Sequence, residues 1–292
     1  MKKNNNLIRL LNLNYLTLTN RTVSCGGMDL PAINCNVSVL PDYIALYSQT
    51  SFYHKTEHTA VAFFQFDEDF DGKFGLYWAI YYNVEERLTY FKERFKDVKY
   101  VIIPDFSELG DIHKIENNYR LFKGRIIGLW FIFEIGAVVI PNITFPTEES
   151  VNFALDGYGD CSVVAISTKG HMGDPAENLR LRANIRLTVE KLTNLKTIIA
   201  YDVCSTNDAT LDTFSYAIER DIEIVIPNNT LKDRNMTLYL ERPPKQRQMR
   251  RNYQQSRLNL ILIIILKQYM TEDKVNIFKG TTTILWVEAR LP

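Results

Sequence analysis

Apolar runs that end in a polar residue recur along the middle of the chain, and a segment with helical spacing follows most of them. Between residues 98 and 229 the runs end at Asp105, Asn142, Ser167, Asp202 and Asn228. Such short apolar runs are typical of buried strands, and their alternation with helices favours parallel pairing through right-handed crossovers. With residues 60–66 as a further strand, the pattern predicts an α/β fold of about six mainly parallel strands alternating with helices. A doubly wound sheet and an incomplete barrel both fit.

Two segments carry the strongest helix signals. Residues 175–193 follow Asp174, a residue that caps helix N-termini well, and they begin with a proline, which is favoured in the first helical turn. Residues 112–136 form a long helical region whose last residue is a glycine, as is common directly after a helix. A break of this region at Gly124 or Gly128 stays open.

The hydrophobic pattern and the charge distribution divide the chain into three parts. Residues 60–229 are the predicted α/β core domain. Residues 1–59 are predicted to hold N-terminal strands and an extension that pack on this core, and the second half of residues 7–18 alternates like a strand. Residues 230–292 are predicted to form a basic linker followed by apolar C-terminal strands. The apolar runs that supply these last strands are residues 258–266 and 281–287.

Composition and charge exclude several classes of protein. Among 292 residues, 46% are hydrophobic and 23% charged, which is typical of a globular protein with its own core. The 34 basic residues balance 34 acidic ones, so no overall field attracts nucleic acid or membrane. No signal peptide stands out, and the run at 258–266 is too short to span a bilayer.

The four cysteines contain no CxxC pair, so a zinc ribbon or a redox motif is not indicated. Cys161 and Cys204 are predicted to be buried as small hydrophobic residues. A disulfide or a shared metal between Cys25 and Cys35 stays open as an alternative. The cysteine usage as a whole fits a reducing compartment, so we expect a cytoplasmic protein without membrane contact.

Polar residues at the predicted strand ends are the candidates for a functional site, because ligands of open α/β sheets and barrels bind beyond the carboxyl ends of the strands. Asp105 is the first choice for a catalytic residue, and Asp202 is a second candidate. The predicted ligand-binding residues are Asn142, Ser167, Thr168 and Asn228. The alternative is that each of these side chains merely caps the turn that follows its strand.

His171 is the third catalytic candidate, since it lies in a glycine-containing loop after a strand and histidine exchanges protons near neutral pH. Asp202 would then orient His171, or else cap its own turn. A solvent-exposed histidine without a role is the alternative reading. No phosphate-binding loop, dinucleotide fingerprint or nucleophile elbow occurs, so no cofactor is indicated.

The acidic loop at residues 67–72 begins like a calcium-binding loop. Trp78 occupies the twelfth position, where such a loop requires a bidentate glutamate. We therefore expect an acidic surface loop at a strand end and no metal site.

A basic arm at residues 242–257 contains six cations and several glutamines but no acid. Cations that neutralise phosphates release counterions, so Arg247, Arg250 and Arg251 are candidate nucleic-acid contacts. A solvated linker is the alternative for this segment.

Several short motifs resemble one family. They include Pro104–Ser107, Val139–Asn142, Asp156–Gly157 and Val164–Ser167, together with an aromatic strand that runs into acids at 63–69. In order and spacing these motifs are similar to the domain-of-unknown-function family 4417, over residues 60–229. The resemblance implies a protein of bacterial phages or mobile elements and specifies no reaction. His171 is offset from the family's usual histidine, and the segment after Arg242 departs from the family.

Two functional hypotheses follow. In the first, the α/β domain carries a ligand-binding or catalytic pocket at the strand ends and takes a small molecule or nucleic acid of unspecified kind. In the second, the protein is a non-catalytic accessory factor that contacts nucleic acid or a protein partner through its basic arm.

Overall fold

The computed structural model describes residues 7–108 and 110–243. A short antiparallel pair, β1 (Ser24–Cys25) and β2 (Leu30–Pro31), precedes the central strands. The central strands are all parallel to their neighbours: β3 (Tyr43–Leu46), β4 (Thr59–Ala62), β5 (Tyr100–Ile102), β6 (Val138–Ile140), β7 (Val163–Ser167), β8 (Thr197–Tyr201) and β9 (Glu223–Val225).

Helices connect most of the central strands, and further helices precede and follow these strands. In chain order the helices are α1 (Leu16–Thr19), α2 (Leu76–Tyr82), α3 (Glu85–Arg94), α4 (Lys114–Trp130), α5 (Val151–Ala154), α6 (Pro175–Lys191), α7 (Asp208–Thr213), α8 (Ser215–Ile218) and α9 (Thr230–Leu240). A five-residue π-helical turn, Phe131–Ile135, extends α4. Within residues 7–108 and 110–243, no helix is both long enough and apolar enough to cross a membrane.

The central strands form two sheets that follow the order of the sequence, β3-β4-β5-β6 and β7-β8-β9. A single parallel bridge between Asn142 and Ala165 joins the sheets at one seam, and a second bridge between Tyr43 and Asn228 joins them at the other. The strand order never reverses, as it would in a doubly wound sheet. Because one bridge per seam is not a continuous ladder, the architecture is an incomplete barrel. The predicted α/β class is confirmed.

Most of the central strands are buried because helices or other strands cover both of their faces, whereas β9 is exposed or half-buried along its length. Every residue of β4 and β8 is buried, which explains why these strands are continuous apolar runs rather than alternating ones. Between the sheets, the ring of Phe64 stacks on Tyr201 from β8, with ring centroids 4.6 Å apart. This contact fills the interior at the carboxyl ends of the strands.

Local signals placed two helices correctly. The Asp174 carboxylate accepts a hydrogen bond from the backbone N–H of Ala176 at 2.8 Å, as an N-cap does. Helix α4 continues through Gly124 and Gly128 without a break. Close packing explains why residue 128 is a glycine, since a Cβ at this position would lie 2.7 Å from Cδ1 of Ile33.

The N-terminal part departs from one expectation. Residues 16–19 are α-helical rather than extended, because Leu18 is buried, and the preceding Tyr15 packs edge-on against Phe122 of α4. β3, which also precedes residue 60, pairs in register with β4 and so contributes a full strand to the barrel.

The four cysteines are free, so the alternative of a bond between Cys25 and Cys35 is wrong. Cys35 and Cys161 are buried together, and the backbone N–H of Cys35 approaches the sulfur of Cys161 at 3.3 Å. The predicted strands at residues 258–266 and 281–287 lie outside the described residues.

Candidate functional site

Asp105 follows β5, which ends at Ile102, and lies at the carboxyl end of the barrel. The amide nitrogen of Asn142, beyond the neighbouring strand β6, donates a hydrogen bond to the Asp105 carboxylate at 2.9 Å. Burial raises the pKa of Asp105 to about 6, and the neighbouring Asp67 carboxylate adds to this increase. The Asn142 hydrogen bond and the Lys169 ammonium act in the opposite direction. The structure thus brings together two residues that were predicted for the site.

Glu108, three residues after Asp105, is a second carboxyl in the same place. Its pKa is raised well above the usual range, first because the group is desolvated and second because Asp105 is close. The buried Oε2 atom of Glu108 has no hydrogen-bond partner among the described residues. Two desolvated carboxyl groups that repel each other are rarely ionised at the same time, so the pair loses its two protons in separate steps.

Charged groups beside this pair are engaged with one another. Arg120 on α4 forms an ion pair with Asp67 at 2.8 Å and also donates to the carbonyl oxygen of Ser107. Lys123 pairs with Asp71. Two carboxylates of the acidic loop at 67–72 are therefore bound to cations of α4. In the described part of the chain, no cluster of three or more metal-ligating side chains occurs.

Lys169 reaches across the barrel from the loop after β7. Its Nζ atom donates to the carbonyl oxygen of Phe64, beyond β4, at 2.8 Å. Tyr201, which stacks on Phe64, is fully buried, and its hydroxyl has no partner among the described residues. Lys169, which also acts on Asp105, and Tyr201 therefore both contact Phe64 in the interior of the barrel.

Asp202, at the end of β8, lies in a separate buried cluster. Its carboxylate accepts from Lys232 of α9 at 2.8 Å, and the two side chains are only 0% and 4% exposed. The Lys232 ammonium also donates to Asn207 at 2.6 Å. The hydroxyl of Thr168 lies 3.4 Å from the same carboxylate, and Asn229 donates to the Asp202 carbonyl oxygen.

The remaining predicted residues are not brought into either cluster. His171 Nδ1 lies 3.5 Å from the Glu177 carboxylate, so Asp202, which pairs with Lys232, does not orient it. The hydroxyl of Ser167 accepts a hydrogen bond from the backbone N–H of Lys169, two residues later. Asn228 is exposed and pairs through its main chain, and the adjacent Asn229 is the buried side chain.

Sequence reasoning missed Glu108 and Lys232. The only local signal for Glu108 is its place three residues after a strand-end aspartate. Lys232 belongs to a polar helix, and such lysines are normally exposed. The candidate nucleic-acid contacts Arg247, Arg250 and Arg251 lie outside the described residues.

A groove of about 610 Å³ lies on another part of the surface. It is lined by α1, the helices α2 and α3, and the end of α4, including Leu18, Leu88 and Trp130. None of the predicted site residues within the described part of the chain lines this groove.

Comparisons with known proteins agree with the predicted family. The family model described as "Domain of unknown function (DUF4417)" matches residues 23–217, which include Asp105, Glu108, Asn142 and Asp202. A curated relative, the Gene 1 protein of Mycobacterium phage L5, is 28% identical over 109 residues, or 37% of this chain. The match covers 47% of the phage protein, so the chain spans about half of that relative's length. No solved structure matches the chain.

Proposed function

The chain belongs to the DUF4417 family, and from this premise we propose that it binds a small polar ligand at the carboxyl ends of its strands and moves a proton through Asp105. One observation carries the proposal: Asp105 and Glu108 are desolvated together beside Asn142. A proton-transferring group is most effective when its pKa lies near the working pH. A carboxyl whose pKa is raised to about 6 meets this condition, whereas an ordinary aspartate does not.

The neighbouring residues have separate parts in this proposal. Asn142 holds the Asp105 carboxyl through its amide nitrogen and fixes the direction in which the second oxygen points. Glu108 keeps one proton in the pair, because two adjacent carboxylates are disfavoured. Asp105 then accepts a proton from the ligand as a general base, or returns one as a general acid.

The proposal is tested first by carboxyl-carbon NMR titration of the full chain. We expect Asp105 to titrate near pH 6, and we expect the Asp105→Asn variant to lose this resonance. An Asp105 titration near pH 4 would contradict the proposal. Asp160→Asn, which changes an exposed aspartate, is the matched control and should leave the Asp105 titration unchanged.

The second test is catalytic. Compounds that raise the melting temperature of the protein are incubated with it, and their conversion is followed by NMR. Loss of a positioned general acid–base slows a reaction by about 10²–10⁴-fold. We expect Asp105→Asn to retain the fold and to lose conversion by this factor, and full conversion by the variant would refute the role of Asp105.

The setting proposed for this activity is a bacterial phage or mobile element. The similarity to the phage L5 protein supports this setting, and the balanced charge and free cysteines are in keeping with the cytoplasm of the host cell.

A further inference from the structure

The Asp105 site contains buried acceptor atoms that no described residue satisfies. Asn142 is only 6% exposed, and its amide nitrogen is bonded to Asp105, yet its Oδ1 atom has no hydrogen-bond partner within the described residues. The buried Oε2 atom of Glu108 is in the same condition. Buried polar groups in native proteins are nearly always bonded, so these two atoms require donors from water or from a ligand.

The cations near the site act on its carboxyls only from a distance: Lys169 counteracts the raised pKa of Asp105, and Arg120 and Arg125 counteract that of Glu108. Within residues 7–108 and 110–243, neither Asp105 nor Glu108 forms an ion pair. The charged and titratable groups that face them are engaged elsewhere. Lys169 donates to the Phe64 carbonyl, Arg120 pairs with Asp67, and Arg125 donates to the carbonyl oxygens of Ala154 and Asp156 while its guanidinium stacks on Tyr158 at 3.2 Å.

These surroundings determine the kind of ligand group that fits. Once Glu108 releases its proton, both carboxylates and the amide oxygen of Asn142 are acceptors, so a complementary group has several N–H donors and a positive charge. We propose that Asp105, Glu108 and Asn142 bind an organic cation, an ammonium or guanidinium group on a small ligand. The inference rests on the proposed function because it names the ligand class of the same site.

The proposal has a definite pH dependence. A bound cation stabilises the ionised carboxylates, so binding below the pKa of Asp105 requires a proton to leave. With that pKa at about 6, the ionised fraction falls about tenfold between pH 7 and pH 5. The affinity for the cation is expected to fall by at least the same factor, and Glu108 increases the effect in the same direction.

The test is a calorimetric or NMR titration of the full chain with methylguanidinium chloride at constant ionic strength. We expect saturable binding that weakens at least tenfold from pH 7 to pH 5. Acetamide, a neutral amide, and magnesium chloride serve as comparison ligands, and we expect neither to compete. Binding of magnesium in preference to methylguanidinium, or no saturable binding of methylguanidinium below 50 mM (an order-of-magnitude limit for a weak site), would overturn the proposal.

Two substitutions assign the binding to this site. We expect Asp105→Asn and Glu108→Gln each to weaken methylguanidinium binding at least tenfold, and Asp160→Asn to leave it unchanged. Circular dichroism confirms that each variant is folded, and equal binding by wild type and both site variants would refute the assignment. Binding is measured without turnover. A site that binds the cation equally well at pH 7 and pH 5, with Asp105 titrating near pH 4, would refute the acid–base role and the expected pH dependence but would leave the cation site in place.

Discussion

Replacing Lys232 by methionine tests whether the Asp202 cluster holds the fold together. Methionine keeps most of the length of the side chain and removes the ammonium, so the Asp202 carboxylate loses its buried cation. Among the described residues, the donors that remain to the carboxylate are neutral and include the backbone N–H of Cys204 at 2.9 Å and the hydroxyl of Thr168 at 3.4 Å. Lys232→Met therefore leaves a charge in the interior with partial compensation.

The expected loss of stability follows from the burial of the pair. Removing one partner of a buried ion pair costs about 3–5 kcal/mol, because the remaining charge stays desolvated. Lys232 and Asp202 are 4% and 0% exposed, and two donors remain on the carboxylate, so we expect about 3 kcal/mol. Since domains are stable by about 5–15 kcal/mol, this loss would take a large fraction of the total.

The matched control is a pair of the same length at the surface. Lys114 and Glu149 are also 2.8 Å apart, but both side chains are 76% exposed. We expect Lys114→Met to leave the urea midpoint unchanged within error, since water already screens such pairs. Unfolding is followed by far-ultraviolet circular dichroism and tryptophan fluorescence, at pH 7 and equal protein concentration.

Two results would refute this reasoning. One is a loss below about 1 kcal/mol for Lys232→Met, which would show that the interior tolerates the lone carboxylate. The other is a double variant, Asp202→Asn with Lys232→Met, that is no more stable than the single one. We expect the double variant to recover part of the loss, because it removes the uncompensated charge.

Three further predictions concern other parts of the chain. Because its pKa is raised, Asp105 contributes stability that is full below about pH 4 and is lost as the pH rises through about 6. The stability of Asp105→Asn relative to wild type, measured in urea melts, should therefore increase by up to about 2 kcal/mol from pH 4 to pH 7. A constant difference between the two proteins across this range would contradict the assignment. Gly128→Ala should lose about 1–3 kcal/mol, since its Cβ would press on Ile33, and an unchanged melting temperature would contradict this packing. If the basic arm binds nucleic acid, changing Arg247, Arg250 and Arg251 to alanine should flatten the salt dependence of binding by about three phosphate contacts; an unchanged slope would remove the arm from the interface.

The strands were the most predictable part of the fold. β4 to β9 correspond to the six runs recognised between residues 60 and 226, because most of these strands are covered on both faces and are therefore apolar nearly throughout; β9, which begins with the exposed Glu223, is the exception. The two seams were not predictable in the same way. They depend on how far the strands coil around each other, and each rests on a single main-chain bridge that any residue type can form.

The site was predicted in part for a comparable reason. Asp105 and Asn142 follow neighbouring parallel strands, so topology alone brings them to one edge. Glu108 and Lys232 acquire their burial from distant segments, which local spacing does not encode. The sequence does not show which of Asn228 and Asn229 is buried, because both are asparagines. Which one faces the interior depends on one residue of register after β9.

The seam between β3 and β9 has a consequence for synthesis on the ribosome. Tyr43 pairs with Asn228, and Gln49 donates to Thr230 at 2.7 Å, so this seam joins the first central strand to the last. The strands β3 to β6 follow one another along the nascent chain and are free to pair early, whereas contacts between distant segments form late. Until residue 230 emerges, the outer edge of β3 presents unpaired main-chain groups to other nascent chains. Chaperone dependence and co-translational aggregation should therefore depend on how quickly the last strand arrives.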